Sequence, residues 1–207
     1  MTKSHNRYQR RHNIREPKRK FVIAVEGEKT EKIYFDVWKQ KVERDLVVKI
    51  LEAKDGNSSP SNILKRLEKF LKGKSEYDTK NGDEFWLVAD RDEWDEREIF
   101  NVIDECLKKK YSFAMSNPCF ELWLNFHQKN PKSPKKCVDC EKELNKLLHG
   151  KYNKNDYDAL KLIEKVNFAI QKSKQTHKDK TEYFPKDTGT HVYLLVEKFI
   201  FEKGLNI

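Results

Sequence analysis

No run of eighteen apolar residues occurs anywhere in the 207-residue chain, so no segment has the length and hydrophobicity of a bilayer-spanning helix. The basic, polar N-terminus lacks the apolar stretch of a secretory signal, which sets the expectation of a cytoplasmic protein. No G-x-x-x-x-G-K-[ST] loop is present, which excludes a self-sufficient P-loop ATPase. There is no internal repeat, and no second C-x-x-C accompanies Cys137 and Cys140. That pair can ligate zinc only with help from His127 or His149, so free thiols on a helix are the simpler expectation. Cys106 and Cys119 fall in apolar-periodic segments and read as small buried hydrophobes.

What is present is an uneven charge. Of a net +9, most sits in residues 1–20, where eight Lys or Arg face Glu16 alone. Within this arm Arg10, Arg11, Lys18, Arg19 and Lys20 are candidates for phosphate contacts, since a basic arm attracts polyanions without reading their sequence. A solvated tail without a ligand is the other reading.

From Phe21 the pattern turns to alternating strands and helices. Phe21–Val25 is a continuous apolar run ended by Glu26-Gly27, and Ile33, Tyr34, Val37, Trp38 and Val42 follow at helical spacing. Residues 46–51 read as a second strand, and Ser61 as the cap of a helix carrying Ile63, Leu64, Leu67, Phe70 and Leu71. Phe85–Ala89 is a third strand, Ile99 to Leu107 a third helix, and Tyr111–Met115 a fourth strand. Such alternation implies a parallel sheet covered on both faces. Beyond Pro118 the expected elements are helices near 119–128, 137–148, 157–173 and 190–203. The organisation expected is an arm (1–20), an α/β domain (21–130) and a helical extension on the same core (131–207).

Parallel sheets place chemistry just past the carboxyl ends of strands. Glu26 ends the first strand, and Asp90-Arg91-Asp92 ends the third. If the strands are neighbours, three carboxylates converge, and hard oxygen donors without cysteine or histidine favour Mg²⁺ or Mn²⁺. The alternative is structural, with Glu26 capping a helix and both aspartates pairing with Arg91 or lysines.

The segment Val25-Glu26-Gly27-Glu28-Lys29-Thr30-Glu31-Lys32-Ile33-Tyr34-Phe35, then Val88-Ala89-Asp90-Arg91-Asp92, then Ser116-Asn117-Pro118-Cys119-Phe120-Glu121-Leu122-Trp123-Leu124 with His127, resembles the RloB family. The resemblance implies a three-layer, Toprim-like α/β fold with a four-stranded, mainly parallel sheet. It also implies Glu26, Asp90 and Asp92 as the acidic set, and a metal-dependent nuclease of bacterial antiphage defence acting with an ATPase from the same locus. A regulatory, non-catalytic nucleic-acid-binding subunit is the competing expectation. Near the C-terminus the chain departs from the family's Asn-Pro-Ser-Thr-like turn, having Asp187-Thr188-Gly189-Thr190, with Thr190 expected as a helix cap.

Around the acidic set, Lys29 begins a helix and either holds a phosphate or is an ordinary surface lysine. Glu121 lies in an almost wholly apolar helix, where a carboxylate needs a partner, and is either a site residue or a structural acceptor. His127 reads as a satisfied core histidine. Tyr152 and Lys154 either reach nucleic acid or belong to a charged loop.

Overall fold

A computed structural model of the protein describes residues 18–53, 58–91 and 94–204. Its centre is a five-stranded sheet in the order β2-β1-β3-β4-β5, made of β1 (Arg19–Val25), β2 (Leu46–Leu51), β3 (Glu84–Asp90), β4 (Ser112–Asn117) and β5 (Gly189–Thr190). The first four are mutually parallel, with Ile23 level with Trp86 and Val88 level with Ala114, whereas β5 runs antiparallel to β4. The first four strands are those the apolar runs predict. The fifth is two residues long, too short to carry any period, and is held by Ser116 and Asn117 beside it.

Alternate residues of each central strand enter two different cores. Phe21, Ile23, Val25, Trp86 and Val88 face one side. Val22, Ala24, Phe85, Leu87 and Ala89 face the other. Both sets are buried, which is why β1 and β3 read as unbroken apolar runs. The second face is closed by α2 (Pro60–Leu71) and α3 (Glu96–Lys109) through Ile63, Leu67, Ile99 and Ile103. Ser59 caps α2 by accepting from the Asn62 amide, and Pro60 takes the first helical position, where its missing N–H costs nothing. The cap therefore falls two residues earlier than Ser61, whose hydroxyl bonds Glu98 instead.

The first face is covered by α1 (Thr30–Val42), α4 (Phe120–Asn125), α5 (Cys137–Leu147), α6 (Ala159–Ile163), α7 (Val166–Thr176) and α8 (Val192–Glu202). Tyr34, Trp38, Trp123, Leu144, Ile170 and Phe199 from these helices join the same cluster as β1. The C-terminal helices thus complete the layer that α1 begins. Truncating one of the large buried aromatics, Trp123→Ala for example, costs roughly 3–5 kcal/mol because the site cannot fully collapse. The helix expected over 157–173 is two helices meeting near Glu164. Thr190 lies in β5, its hydroxyl 2.8 Å from that of Ser116, and the same hydroxyl accepts from the Val192 amide at 3.3 Å, so it caps the first turn of α8 although His191 holds the N-cap position.

His127 is fully buried, 3.0 Å from the Tyr34 hydroxyl through Nε2 and 3.0 Å from the Trp123 carbonyl through Nδ1. It is a satisfied core residue. Burial pulls its pKa down to about 4, so it is neutral at physiological pH.

Candidate active site

The strand order decides where chemistry can occur. β1 has β2 on one side and β3 on the other, so the chain leaves β1 in one direction and returns past it in the other. The crevice outside the carboxyl ends of β1 and β3 is the switch point at which such sheets bind ligands. Glu26 and Asp90 stand there. The Glu26 amide continues the β1–β3 ladder to the Val88 carbonyl at 3.0 Å, and its Oε2 accepts from the Asp90 amide at 2.6 Å. One carboxylate is therefore clamped by the backbone that carries the other.

Two further carboxylates close on the same space. Glu31, in the first turn of α1, accepts from the Gly27 amide at 2.9 Å through Oε1. A Cβ at Gly27 would fall on that carboxylate, so any larger residue there would push Glu31 out of its present position. Glu121, in α4, accepts from the Tyr152 hydroxyl at 2.9 Å and lies 3.7 Å from the Lys154 ammonium, which also pairs with Glu141 at 2.8 Å. Thr30 ties the loop down, its hydroxyl donating to the Lys154 carbonyl at 3.4 Å while its own carbonyl accepts from Tyr157 at 2.7 Å. Glu26, Glu31, Asp90 and Glu121, with Lys29, Lys154, Cys119 and Cys137, line one cavity of about 510 Å³.

Four carboxylates are gathered and cations are few. Arg66 donates to the Val25 carbonyl behind the site. Burial lowers its pKa, and the charges of Glu26, Glu31 and Glu52 oppose that fall. Burial raises the pKa of Asp90 well above the ordinary carboxylate value, and the charges of Glu31, Glu26 and Glu121 raise it further. Glu31 is raised as well, chiefly by burial and then by Glu121, against the hydrogen bonds from its own amide and that of Gly27 and the charge of Lys154. For Lys154, burial disfavours the charge, but Glu141 and Glu121 outweigh it and hold the pKa above its usual value. Asp90 makes no ion pair with any described residue. Arg91 turns away to Glu96 at 3.5 Å and to the Trp94 carbonyl. The group is thus an under-compensated acidic cluster, which attracts a cation and repels a bare phosphodiester.

Of the residues read from sequence, Glu26, Asp90, Lys29, Glu121 and Lys154 come together. Asp92, Arg10 and Arg11 lie outside the described residues. Lys18 is exposed and donates to the Glu43 carbonyl. Arg19 and Lys20, read as part of the arm, are the first residues of β1 at the opposite end of the sheet, where Arg19 pairs with Glu84 and Glu202 and Lys20 with Asp83. Their donors are taken up by the fold. The polar stripe of Asn117, Glu121 and Asn125 serves three separate partners: Asn117 the carbonyls of Pro185 and Lys186, Glu121 Tyr152, and Asn125 the Cys140 carbonyl. Sequence reading passed over Glu31 and Arg66. Glu31 carried a faint signal, a carboxylate in the first helical turn just after Glu26-Gly27, but Arg66 looks like any lysine or arginine on an amphipathic helix.

A family model described as RloB-like protein matches residues 21–199, nearly all of the sheet and of the helical layer. The chain belongs to the RloB family. No curated protein and no solved structure matches it. The three motifs that carry the RloB resemblance fall at the carboxyl ends of β1, β3 and β4, and the first two meet directly through the Glu26–Asp90 contact.

Among the described residues no three His, Cys, Asp or Glu side chains are grouped to hold a metal ion. Mg²⁺ asks for less, since it is commonly bound by one or two carboxylates with water and substrate oxygens completing the shell. Glu26 and Asp90 offer donors of that kind.

Proposed function

We propose that this RloB-family protein is a Mg²⁺- or Mn²⁺-dependent nuclease that hydrolyses nucleic-acid phosphodiester bonds on a Toprim-like site, in the cytoplasm, as part of antiphage defence. The observation that carries this reading is the meeting of Glu26 and Asp90 at the switch point inside an under-compensated acidic cavity. A polyanion cannot enter such a cavity unaided, so a divalent cation is the natural bridge between carboxylates and phosphate. Glu26, Asp90 and Asp92 would hold it. Bound there, the ion supplies Lewis acidity to the phosphodiester and a more acidic water.

The chain's own groups have separate tasks. The Asp90 amide fixes Glu26 in one rotamer, so its carboxylate is positioned before any ligand arrives. Lys29 offsets phosphate charge at the cavity mouth. Tyr152 and Lys154 hold Glu121 against the wall and keep it from swinging into the ligand space. The basic N-terminal arm gathers nucleic acid, and an ATPase from the same locus is the proposed partner.

The test is cleavage of single- and double-stranded DNA and RNA by the purified chain, with and without the ATPase, in Mg²⁺, Mn²⁺ or chelator. Metal-dependent cleavage that Asp90→Asn and Glu26→Gln abolish is the expected result. Nucleic-acid binding that survives both substitutions, with no cleavage under any condition, would replace the proposal with a regulatory binding subunit.

A further inference from the structure

Two of the four cysteines, Cys119 and Cys137, stand on the wall of the acidic cavity, and Cys140 is buried in the core. Cys106 is separate, buried on α3 against the other face of the sheet. Cys119 immediately precedes α4, while Cys137 and Cys140 occupy the first turn of α5, and α4 packs directly on α5. The Cys119 side chain lies close enough to those of Cys137 and Cys140 to interact with both. Cys119 and Cys140 are buried, whereas Cys137 is half-buried, and Cys119 and Cys137 both line the cavity.

Packing accounts for one of the three. Cys140 is a core residue whose sulfur lies 3.9 Å from the Pro134 carbonyl. It does not account for Cys137, a half-buried thiol that lines a polar cavity together with Cys119 from another element. A soft-metal site does not account for it either, since no three ligands are grouped for one among the described residues. What the contact does provide is a nucleophilic sulfur with access and a partner sulfur beside it. Cys137 also sits at the start of an eleven-residue helix, where backbone N–H groups offset part of the negative field of the neighbouring carboxylates.

We propose that Cys119 and Cys137 form a reversible disulfide when the protein meets a peroxide. The Cys137 thiolate attacks the peroxide O–O bond, an S–O bond forms, and the departing hydroxide takes up a proton as water. The Cys119 sulfur then attacks the resulting sulfenic sulfur, the S–S bond forms, and the second oxygen leaves as water with the Cys119 proton. Two thiols supply the two electrons that reduce the peroxide, and a small dithiol reverses the step. The crosslink joins the start of α4, which carries Glu121, to the start of α5, which carries the Glu141 that holds Lys154. Oxidation therefore distorts the cavity wall and lowers cleavage, a consequence that rests on the nuclease reading, whereas the thiol chemistry does not.

The experiment treats the full-length reduced chain with hydrogen peroxide, unfolds it, alkylates the free thiols and maps the peptides. Two of the four cysteines should remain alkylatable, with the Cys119 and Cys137 peptides linked and released by dithiothreitol. Cys137→Ser should abolish the link, and Cys106→Ser should leave it intact. Cys119→Ala should leave a persistent sulfenic acid on Cys137 that dimedone captures. Four alkylatable thiols after peroxide, or a link that uses Cys140 or Cys106, overturns the assignment. Cleavage measured on the same samples should fall on oxidation and return on reduction. A mapped disulfide with unchanged cleavage overturns the regulatory consequence, and a mapped disulfide in a chain that cleaves nothing when reduced removes the nuclease reading alone.

Discussion

The two ends of one strand pair, β1 and β3, handle charge in opposite ways. At the amino ends Arg19 pairs with Glu84 at 3.0 Å and with Glu202, Lys198 adds to Glu84 at 3.3 Å, and Lys20 pairs with Asp83 at 3.7 Å. Asp83 also accepts from the Lys20 and Asp78 amides at 2.8 and 3.1 Å. At the carboxyl ends Glu26 and Asp90 face each other and two more glutamates. A carboxylate whose lone pairs are filled by cations and amides is part of the scaffold. One held beside like charges stores repulsion that a ligand can relieve, and the difference marks which end of the sheet does chemistry.

The sharpest way to break this comparison is to neutralise one carboxylate at each end. Asp90→Asn should lower metal-dependent cleavage by more than the roughly 10–100-fold that loss of an outer-shell partner costs a metal site, while apo stability stays level or rises as repulsion is relieved. Cleavage rates and thermal melts of the same preparation check both halves. Destabilised apo protein with intact cleavage would make Asp90 a scaffold residue after all.

Asp83→Ala should do the reverse, costing about 3 kcal/mol in urea unfolding because Lys20 and two backbone amides lose their buried acceptor, with cleavage by the folded fraction unchanged. A loss of similar kind should appear when an N-terminal truncation is extended from residue 17 to residue 20, since that step takes Lys20 from Asp83 and Arg19 from Glu84. Equal stability of the two truncations would show that the amino-end network is idle.

The pH dependence of stability gives a finer contrast. Glu31 and Asp90 have pKa values raised in the fold, so the stability linked to them is fully present below their ordinary values of 4.5 and 3.8 and is lost as pH rises through the raised ones. His127 works in the opposite sense over an overlapping range. Its pKa is depressed from 6.5 to about 4, so its contribution is present above 6.5 and lost as pH falls toward 4. Subtracting the Asp90→Asn melting curve from the wild-type curve isolates the carboxylate part, and the wild-type protein should lose ground relative to the variant as pH rises. Adding Mg²⁺ should flatten that difference by favouring the ionised carboxylates. A gap that shrinks as pH rises without metal contradicts the acidic-cluster account.

The smallest effect is expected at Tyr152. Tyr152→Phe removes one hydrogen bond to Glu121 and should cost about 1 kcal/mol, measured by urea unfolding. Its value lies in the sign of the activity change, because Glu121, then held by Lys154 alone, can swing toward the ligand space and should weaken substrate binding rather than the chemical step.

Much of this architecture is legible in the order of residues alone. Phe21–Val25 and Phe85–Ala89 show themselves as strands because both faces are buried, and Ile99, Val102, Ile103 and Cys106 declare a helix by their spacing. The ends of those runs identify Glu26 and Asp90. The two-residue β5 has no period to detect, and the break between α6 and α7 has no proline or glycine to mark it. Arg19 and Lys20 are indistinguishable in sequence from the basic residues before them, since the carboxylates that engage them, Glu84, Asp83 and Glu202, are supplied from far along the chain.

The sequence by itself determined that Glu26 and Asp90 would each stand at the end of a buried strand, because apolar runs and their polar terminators are local properties. Only the tertiary structure decided that β1 and β3 are neighbours, that Glu31 and Glu121 join them, and that Lys154 and Tyr152 lean on Glu121. Strand order follows from which helices cover which face, and the charge balance at one point follows from which distant segments fold over it. No window of sequence contains both sides of that balance.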